Sequence, residues 1–295
     1  MDCGGDGMRA AWQDARKQAI AQVLGIMVMF AAYDAISKYL ARAYPIPELL
    51  WIRYLTHVSL ILALFGRRMG WDLIRTARPV LQVIRAGMLV AVSFFVMAGL
   101  RHISLAETTA IIFLAPLLVT ALSAIVLKER VNLRQWVAVL LGFIGVLVIV
   151  RPSSSGLNVA LLYPLASAVC YSLYQILTRT VKGSEHPVTT HLFTGLVGFV
   201  ICSVSWQSDW VVPALWPGFL MVCLGLLAGI GHYFLIGVFQ HVGPAVVAPF
   251  TYTQLAWAVL FGFLFFGEIP DALSLLGIAI IAGSGLYVAL RPARH

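Results

Sequence analysis

The chain of 295 residues is 61% hydrophobic and only 11% charged, with a mean hydropathy of +0.92. Soluble domains carry about 25% charged residues, so this composition excludes a soluble protein and indicates one embedded in a lipid bilayer. The net charge of +8 does not indicate nucleic-acid binding, because no soluble element is present to carry a basic face.

Long apolar stretches follow one another along the whole chain, separated by short loops with Pro, Gly or charge. A membrane-spanning helix needs about 20 such residues, and the runs are too long for barrel strands. The first stretch contains Asp34 and Lys38, so it is a retained helix rather than a signal peptide. The predicted helices cover residues 20–40, 46–66, 80–100, 104–126, 133–150, 157–178, 188–206, 217–239, 244–266 and 270–290.

The distribution of positive charge predicts the orientation in the membrane. Of the 20 Lys and Arg residues, 14 lie on the side of the termini and three lie within spans. Only Arg42, Arg101 and Arg151 lie on the other side. Cytoplasmic loops are enriched in Lys and Arg, so both termini are predicted to be cytoplasmic, with the chain in the inner (plasma) membrane.

The sequence also contains an internal repeat. Ser93-Phe94-Phe95 corresponds to His232-Tyr233-Phe234, Glu129 to Glu268, and Arg151-Pro152 to Arg291-Pro292, with an offset of 139 that becomes 140. We therefore divide the chain into a tail (1–19) and two five-helix repeats (20–152 and 153–292). Because five is odd, the second repeat is predicted to be inverted, as in many alternating-access transporters.

The fourth and fifth predicted helices carry a recognisable pattern. Pro116 lies mid-span, Leu127-Lys128-Glu129-Arg130 forms the loop, and Gly142 and Gly145 follow. The second repeat keeps Gly267-Glu268, Gly277 and Gly285, but it has Leu255 in place of Pro116 and its proline lies earlier, at Pro249.

This pattern resembles the ten-helix EamA-type branch of the drug/metabolite transporter superfamily. Within that superfamily the chain looks most like the YddG-type aromatic amino acid exporters. The resemblance implies an all-α fold of two inverted repeats around a central cavity, and secondary export of amino acids or related metabolites across the inner membrane. Export or import of another solute of the same superfamily, such as a nucleoside, drug or sugar derivative, is the alternative.

Three charged residues in the first two helices are candidates for the transport pathway. Asp34 and Lys38 are four residues apart and share a helix face, and Arg53 lies about as deep as Asp34 in the second helix. Charged groups inside a membrane usually face protein or water. They either bind a zwitterionic substrate or form an Asp34–Arg53 or Asp34–Lys38 pair, with Lys38 extending to the interface. In the second repeat, Tyr171 and Gln175 occupy the places of Asp34 and Lys38.

Polar-tipped aromatic residues away from the interfaces indicate an aromatic-walled cavity. Packing with an internal hydrogen bond is the alternative for each of them. The predicted cavity residues are Asp34, Lys38, Phe94, Tyr171, Tyr174, Gln175, His232, Tyr233, Tyr252 and Trp257.

Glu107, one turn into the fourth helix, either joins Asp34 in proton coupling or caps the helix. Arg53, Pro116, Pro249, Glu129 and Glu268 are predicted to be structural. Gly225 and Gly229 form a close-packing motif that serves packing within one chain or a homodimer.

No cofactor is expected, because the chain lacks a phosphate-binding loop and its His and Cys residues lack metal-ligand spacing. The expected partners are a small-molecule substrate and the lipid bilayer. A membrane-embedded enzyme and a passive partner subunit are the remaining alternatives. An enzyme would need clustered acidic and histidine residues, and the 12 Asp and Glu residues lie mostly in loops and tails.

Overall fold

The predicted spans are helical in the computed structural model, which describes residues 3–126, 128, 131–151, 158–181, 185–204, 210–241 and 249–290. The first half contains α1 (Cys3–Ala41), α2 (Ile46–Met69), α3 (Pro79–Leu100), α4 (Leu105–Ile112), α5 (Ala115–Val126) and α6 (Leu133–Val150). The second half contains α7 (Leu162–Val181), α8 (Pro187–Val204), α9 (Leu215–His241), α10 (Thr253–Phe266) and α11 (Ala272–Leu290).

Local sequence explains where these helices begin and end. Pro79 and Pro187 are the first residues of α3 and α8, where the missing proline N–H breaks no helical hydrogen bond. Asn132 and Gln135 form a capping box at the start of α6. Gly267 ends α10 with a φ of +65°, a left-handed conformation that favours glycine. Nine of the described helical segments are long and apolar enough to cross a membrane, and Ala272–Val288 is a shorter tenth, so the prediction of a ten-helix membrane protein is confirmed.

The fourth predicted helix differs from expectation, because it is broken rather than continuous. α4 ends at Ile112 and α5 begins at Ala115. The N–H of Leu114 bonds to the carbonyl of Ile111 at 3.0 Å, a tighter turn than the α-helical ladder. Pro116 has no N–H to donate, so the regular ladder cannot continue through this point.

A similar break precedes α10. Residues 249–251 are helical, Tyr252 is a turn residue, and α10 starts at Thr253. The two breaks meet in space, since the rings of Phe113 and Tyr252 lie 4.9 Å apart. These two residues are 139 positions apart, which is the repeat offset. Each half therefore contributes one broken helix to the same point.

Close packing at glycines joins the halves. α6 packs along α11, where a Cβ on Gly145 would lie 3.0 Å from the carbonyl of Gly277. α9 packs on α2, where a Cβ on Gly225 would lie 2.5 Å from Thr56 and one on Gly229 would lie 3.0 Å from Leu60. The Gly225 and Gly229 motif thus serves packing within the chain. The pairs α3 with α7, α1 with α9, α2 with α8, and α1 with α10 are further contacts between the halves.

The connecting segments meet at two opposite ends of the helices. At one, which we name the Glu268 end, the residues after α1 and α3 meet those between α10 and α11. At the other, the Glu185 end, a Glu185 carboxylate oxygen accepts hydrogen bonds from the Thr76 hydroxyl at 2.7 Å and the Ala77 N–H at 2.8 Å. The loops that the charge distribution assigns to one side of the membrane therefore do contact one another.

Candidate functional site

Asp34 of α1 lies next to the break that precedes α10. The amide of Gln254 donates a hydrogen bond to the Asp34 carboxylate at 2.9 Å, and Gln254 follows the turn residue Tyr252 by two positions. Among the described residues, no Lys, Arg or His nitrogen lies within 4.0 Å of this carboxylate. The Asp34–Lys38 and Asp34–Arg53 pairs considered from the sequence are therefore not formed. A partly buried carboxylate held by a neutral amide remains available to a cationic group.

Arg53 of α2 forms the neighbouring charged site. It is 5% exposed and donates a hydrogen bond to the Ser93 hydroxyl at 2.5 Å. Its guanidinium lies 5.1 Å from the ring centre of Tyr33 and 4.9 Å from that of Tyr54. Aromatic faces stabilise a desolvated cation. Within the part of the chain that the structure describes, Arg53 is thus held without a carboxylate partner.

Lys38 has a different partner from those expected. Its ammonium lies 2.7 Å from the Glu268 carboxylate and donates to the Ile103 carbonyl at 2.6 Å. The side chain is 1% exposed, so it does not extend to an interface. The i, i+4 spacing on α1 predicts only partners on the same helix. Glu268 lies 230 positions away in the chain, so the Lys38–Glu268 pair could not be predicted from that spacing.

Glu268 is a junction of the Glu268 end. Besides Lys38, it pairs with Arg42 at 3.3 Å and accepts the backbone N–H of Leu105, the first residue of α4, at 3.1 Å. A carboxylate at a helix N-terminus is favoured by the unpaired N–H groups and the helix dipole. Arg101 adds a bond to the Tyr44 carbonyl at 2.5 Å. Through these contacts, Glu268 connects the first half to the segment before α11.

A second set of contacts lies beside it. Arg151 makes a two-pronged ion pair with Asp271, one bond being 2.6 Å. The Ser274 hydroxyl donates to Glu107 at 2.6 Å, and Glu107 also accepts from the Ser104 hydroxyl at 2.8 Å. Glu107 therefore lies in the first turn of α4 within a capping arrangement. The Arg151 guanidinium holds the pKa of the Asp271 carboxyl well below its usual range.

A cavity of about 890 Å³ lies between α1, α2, α8 and α9. We name it the His191 cavity. Gln18 and His186 line it at the Glu185 end. From there it extends past Tyr233 to His191 and Gly229. Its volume is in the range of about 300–1,000 Å³ that small-molecule sites occupy. A smaller cavity of about 350 Å³ lies among the ion pairs of the Glu268 end.

The predicted aromatic residues do not all line one wall. Tyr171 and Tyr174 stack with ring centres 6.0 Å apart, and Tyr233 lines the His191 cavity beside Phe65. Trp257 packs near Phe261 along α10.

The other predicted residues are placed as follows. Phe94 is 39% exposed on α3, and Gln175 is partly buried on α7. The hydroxyl of Tyr252 is buried against α11, where a Cβ on Gly285 would overlap it. Pro116 and Pro249 lie near the two breaks, and Glu129 lies outside the described residues. The cavity roles of these residues stay predictions.

Arg85 is a buried charged residue that is not among the site residues predicted from the sequence. This α3 residue is 1% exposed and donates hydrogen bonds to Gln82, the Thr190 carbonyl and the Thr194 hydroxyl. Its guanidinium lies 5.1 Å from the ring centre of Tyr174. Its position inside an apolar span was the signal that could have singled it out. No metal-binding group of three or more His, Cys, Asp or Glu occurs in the described part of the chain.

Comparison with known proteins gives a consistent picture. A model of the EamA-like transporter family matches residues 17–151 and again 158–290. A solved crystal structure of a protein that is 22% identical superposes with a TM-score of 0.62, covering 92% of this chain and 97% of that one. At that identity the likeness concerns the fold alone.

Several curated transporters are similar over most of their length. An S-adenosylmethionine uptake transporter of Rickettsia bellii is 26% identical, covering 89% of this chain and 90% of its own. A riboflavin transporter of Rhizobium johnstonii is 28% identical, covering 78% and 77%. A pseudopaline exporter of Pseudomonas aeruginosa is 29% identical, covering 85% and 89%. These relatives differ in solute and in direction, and none of the three is named as an aromatic amino acid exporter.

Proposed function

The chain belongs to the EamA-like transporter family of the drug/metabolite transporter superfamily, and on that premise we propose that it carries a small zwitterionic metabolite by alternating access. The substrate class is an amino acid with an apolar or aromatic side chain, or a compound that contains an amino-acid group. Transport of this kind moves the solute across the membrane without a catalysed chemical reaction, so the multi-pass membrane protein is not an enzyme. A nucleoside, drug or sugar derivative is the alternative substrate.

The observation that supports this proposal best is the contact between Asp34 and Gln254. It joins a helix of the first half to the broken helix of the second half, inside the membrane-spanning region. Broken helices at a repeat interface are a recurrent place for transporter substrates. Asp34 offers a negative charge for an ammonium group, and the S-adenosylmethionine relatives are compatible with it because that solute contains an α-amino acid.

The two ends of the molecule support an inward-facing arrangement. Ion pairs close the Glu268 end, whereas the His191 cavity lies towards the Glu185 end. The excess of Lys and Arg on the side of the termini favours a cytoplasmic Glu185 end in the inner membrane, with the repeats 20–152 and 153–292 inverted. Rocking of the repeats would open the Glu268 end and close the cavity.

The experiment is uptake into liposomes that contain the purified protein. Labelled phenylalanine, S-adenosylmethionine and riboflavin are compared, each with and without a proton gradient, against protein-free liposomes. Saturable movement of either amino-acid compound supports the proposal. Movement of riboflavin alone would contradict the substrate class while leaving the transporter family intact.

A further inference from the structure

Three histidines from different helices meet inside the membrane-spanning region. His57 of α2 lies with its ring centre 4.3 Å from that of His191 on α8, and His191 lies 6.2 Å from His232 on α9. His57 is only 3% exposed, while His191 lines the His191 cavity. We name these three residues the histidine cluster.

The histidine cluster and the neighbouring Arg53 contain buried polar atoms with no hydrogen-bond partner among the described residues. Both ring nitrogens of His57, Nε2 of His191 and Nε of Arg53 make no hydrogen bond. Leaving a buried polar group unsatisfied is unfavourable, because the group loses its hydrogen bonds to water and gains none in return. Since Arg53 and His57 are four residues apart on α2, they share one helix face. Several unpaired groups therefore face one region, which is what a site for a polar ligand requires.

The charges around the cluster favour an anion. Arg53 on α2 acts electrostatically on all three histidines, and Arg85 on α3 acts on His191. The faces from α8 and α9 add no acidic residue, because neither helix contains Asp or Glu. Asp34 on α1 is the acidic side chain on this side, and it accepts its bond from Gln254. The described charges that surround the cluster are thus two guanidinium groups and one carboxylate, in a low-dielectric interior.

We propose that His57, His191 and Arg53 form the subsite that binds the carboxylate of the substrate. The imidazole and guanidinium N–H groups donate to the carboxylate oxygens, and Asp34 binds the ammonium group of the same molecule. His232 supports the cluster, because its Nδ1 donates to the Ala228 carbonyl at 2.8 Å and its ring packs 5.0 Å from Phe30. The carboxylate enters through the His191 cavity. The identity of the rest of the substrate rests on the proposed function, whereas the carboxylate subsite itself does not.

The subsite is tested with the full chain in lipid nanodiscs and two matched probes. Phenylacetate carries a carboxylate without an amine, and phenethylamine carries an amine without a carboxylate. Binding is measured by isothermal titration calorimetry for the wild type and for His57→Asn, His191→Asn and His102→Asn. His102 is the matched control, since its exposed ring stacks on Tyr163 at the Glu268 end.

His57→Asn and His191→Asn should each weaken phenylacetate binding about tenfold or more, which corresponds to about 1.4 kcal/mol. Phenethylamine binding should be unchanged in both variants, and His102→Asn should bind both probes as the wild type does. Phenylacetate binding that is equal in all four proteins overturns the assignment. So does a wild type that binds no phenylacetate at about 10 mM.

A second measurement covers the case in which a variant does not fold. In wild-type protein labelled with ¹⁵N at the histidine imidazoles, phenylacetate should shift resonances that phenethylamine leaves in place. The absence of any such shift overturns the subsite. Failure of the liposome experiment with amino acids contradicts the proposed function instead, because neither probe measurement depends on transport.

Discussion

The ammonium of Lys38 lies 2.7 Å from the carboxylate of Glu268 and is buried, which ties α1 of the first half to the segment before α11 in the second. An unpaired ammonium at this depth is costly, so the pair can separate only if water or another partner replaces it. This contact is therefore a natural determinant of whether the Glu268 end is closed.

Glu268→Gln should favour the open Glu268 end. The change removes the negative charge that pairs with the buried Lys38, whose ammonium keeps only neutral acceptors such as the Ile103 carbonyl. Breaking a buried pair by removing one partner costs about 3–5 kcal/mol, and the 22% exposure of Glu268 places the effect near or below the lower limit. The readout is maleimide labelling of Ile103→Cys in a background without the native cysteines. Labelling should rise in Glu268→Gln and stay low in the matched control Glu185→Gln at the other end.

Asp271 should contribute stability that depends on pH. Its folded pKa is lowered, mainly by the Arg151 guanidinium and the Ser274 N–H, so the contribution is fully present above the unfolded pKa of about 3.9. This contribution to stability is lost as the pH falls through the folded-state pKa of Asp271. The difference in melting temperature between wild type and Asp271→Asn should be constant from pH 8 to about pH 5 and shrink in stronger acid. Asp72→Asn, at an exposed i, i+3 pair with Arg75, should show a smaller difference throughout.

Gly145→Ala should destabilise the packing of α6 on α11. The added Cβ would lie 2.8 Å from Ile281 and 3.0 Å from the Gly277 carbonyl, and the backbone atom cannot move aside without separating the helices. Overpacking of this kind costs about 1–3 kcal/mol. The check is the melting temperature in detergent. Gly283→Ala, with open space around its Cβ, should leave the melting temperature unchanged or raise it, since alanine favours a helix.

Tyr252→Phe should preserve transport and stability. The Tyr252 hydroxyl is buried with no hydrogen-bond partner among the described residues, whereas its ring contacts Phe113 at 4.9 Å. Tyr252→Ala removes that contact and should cost about 3–5 kcal/mol. Melting temperature and liposome uptake are measured for both variants. A loss of uptake in Tyr252→Phe with normal stability would show instead that the hydroxyl contacts the substrate.

The sequence predicted the helices well because each apolar run is as long as the membrane is thick. It did not predict where α4 and α5 separate, because Pro116 allows either a kink or a turn and the choice depends on the crossing with Tyr252. Long-range partners were equally hidden. Lys38 and Glu268 belong to different repeats, and no histidine of the cluster is distinctive within the sequence of its own helix. Periodicity describes faces of single helices, whereas the site is assembled from several.

Asp34→Asn should abolish most transport of amino-acid substrates. Asparagine keeps an oxygen for the Gln254 amide, which donates at 2.9 Å in the wild type, but it loses the charge that would bind an ammonium group. A hydrogen bond to a charged group is worth about 1.5–3 kcal/mol, so uptake should fall about tenfold to a hundredfold. Asp34→Glu should recover part of the activity, and Asp72→Asn is the exposed acid-to-amide control.

The same variant tests whether Asp34 also carries the coupling proton. If it does, a proton gradient that accelerates wild-type uptake should have no effect on the residual uptake of Asp34→Asn. The reason is that an amide side chain does not take up or release a proton near neutral pH. The measurement is initial uptake with and without the gradient for both proteins. Full activity of Asp34→Asn, with uptake indifferent to the gradient in the wild type, would reject both the coupling role and the ammonium site. Gradient-driven uptake that persists in Asp34→Asn would direct attention to Glu107, where the Ser104 and Ser274 hydroxyls already hold the carboxylate.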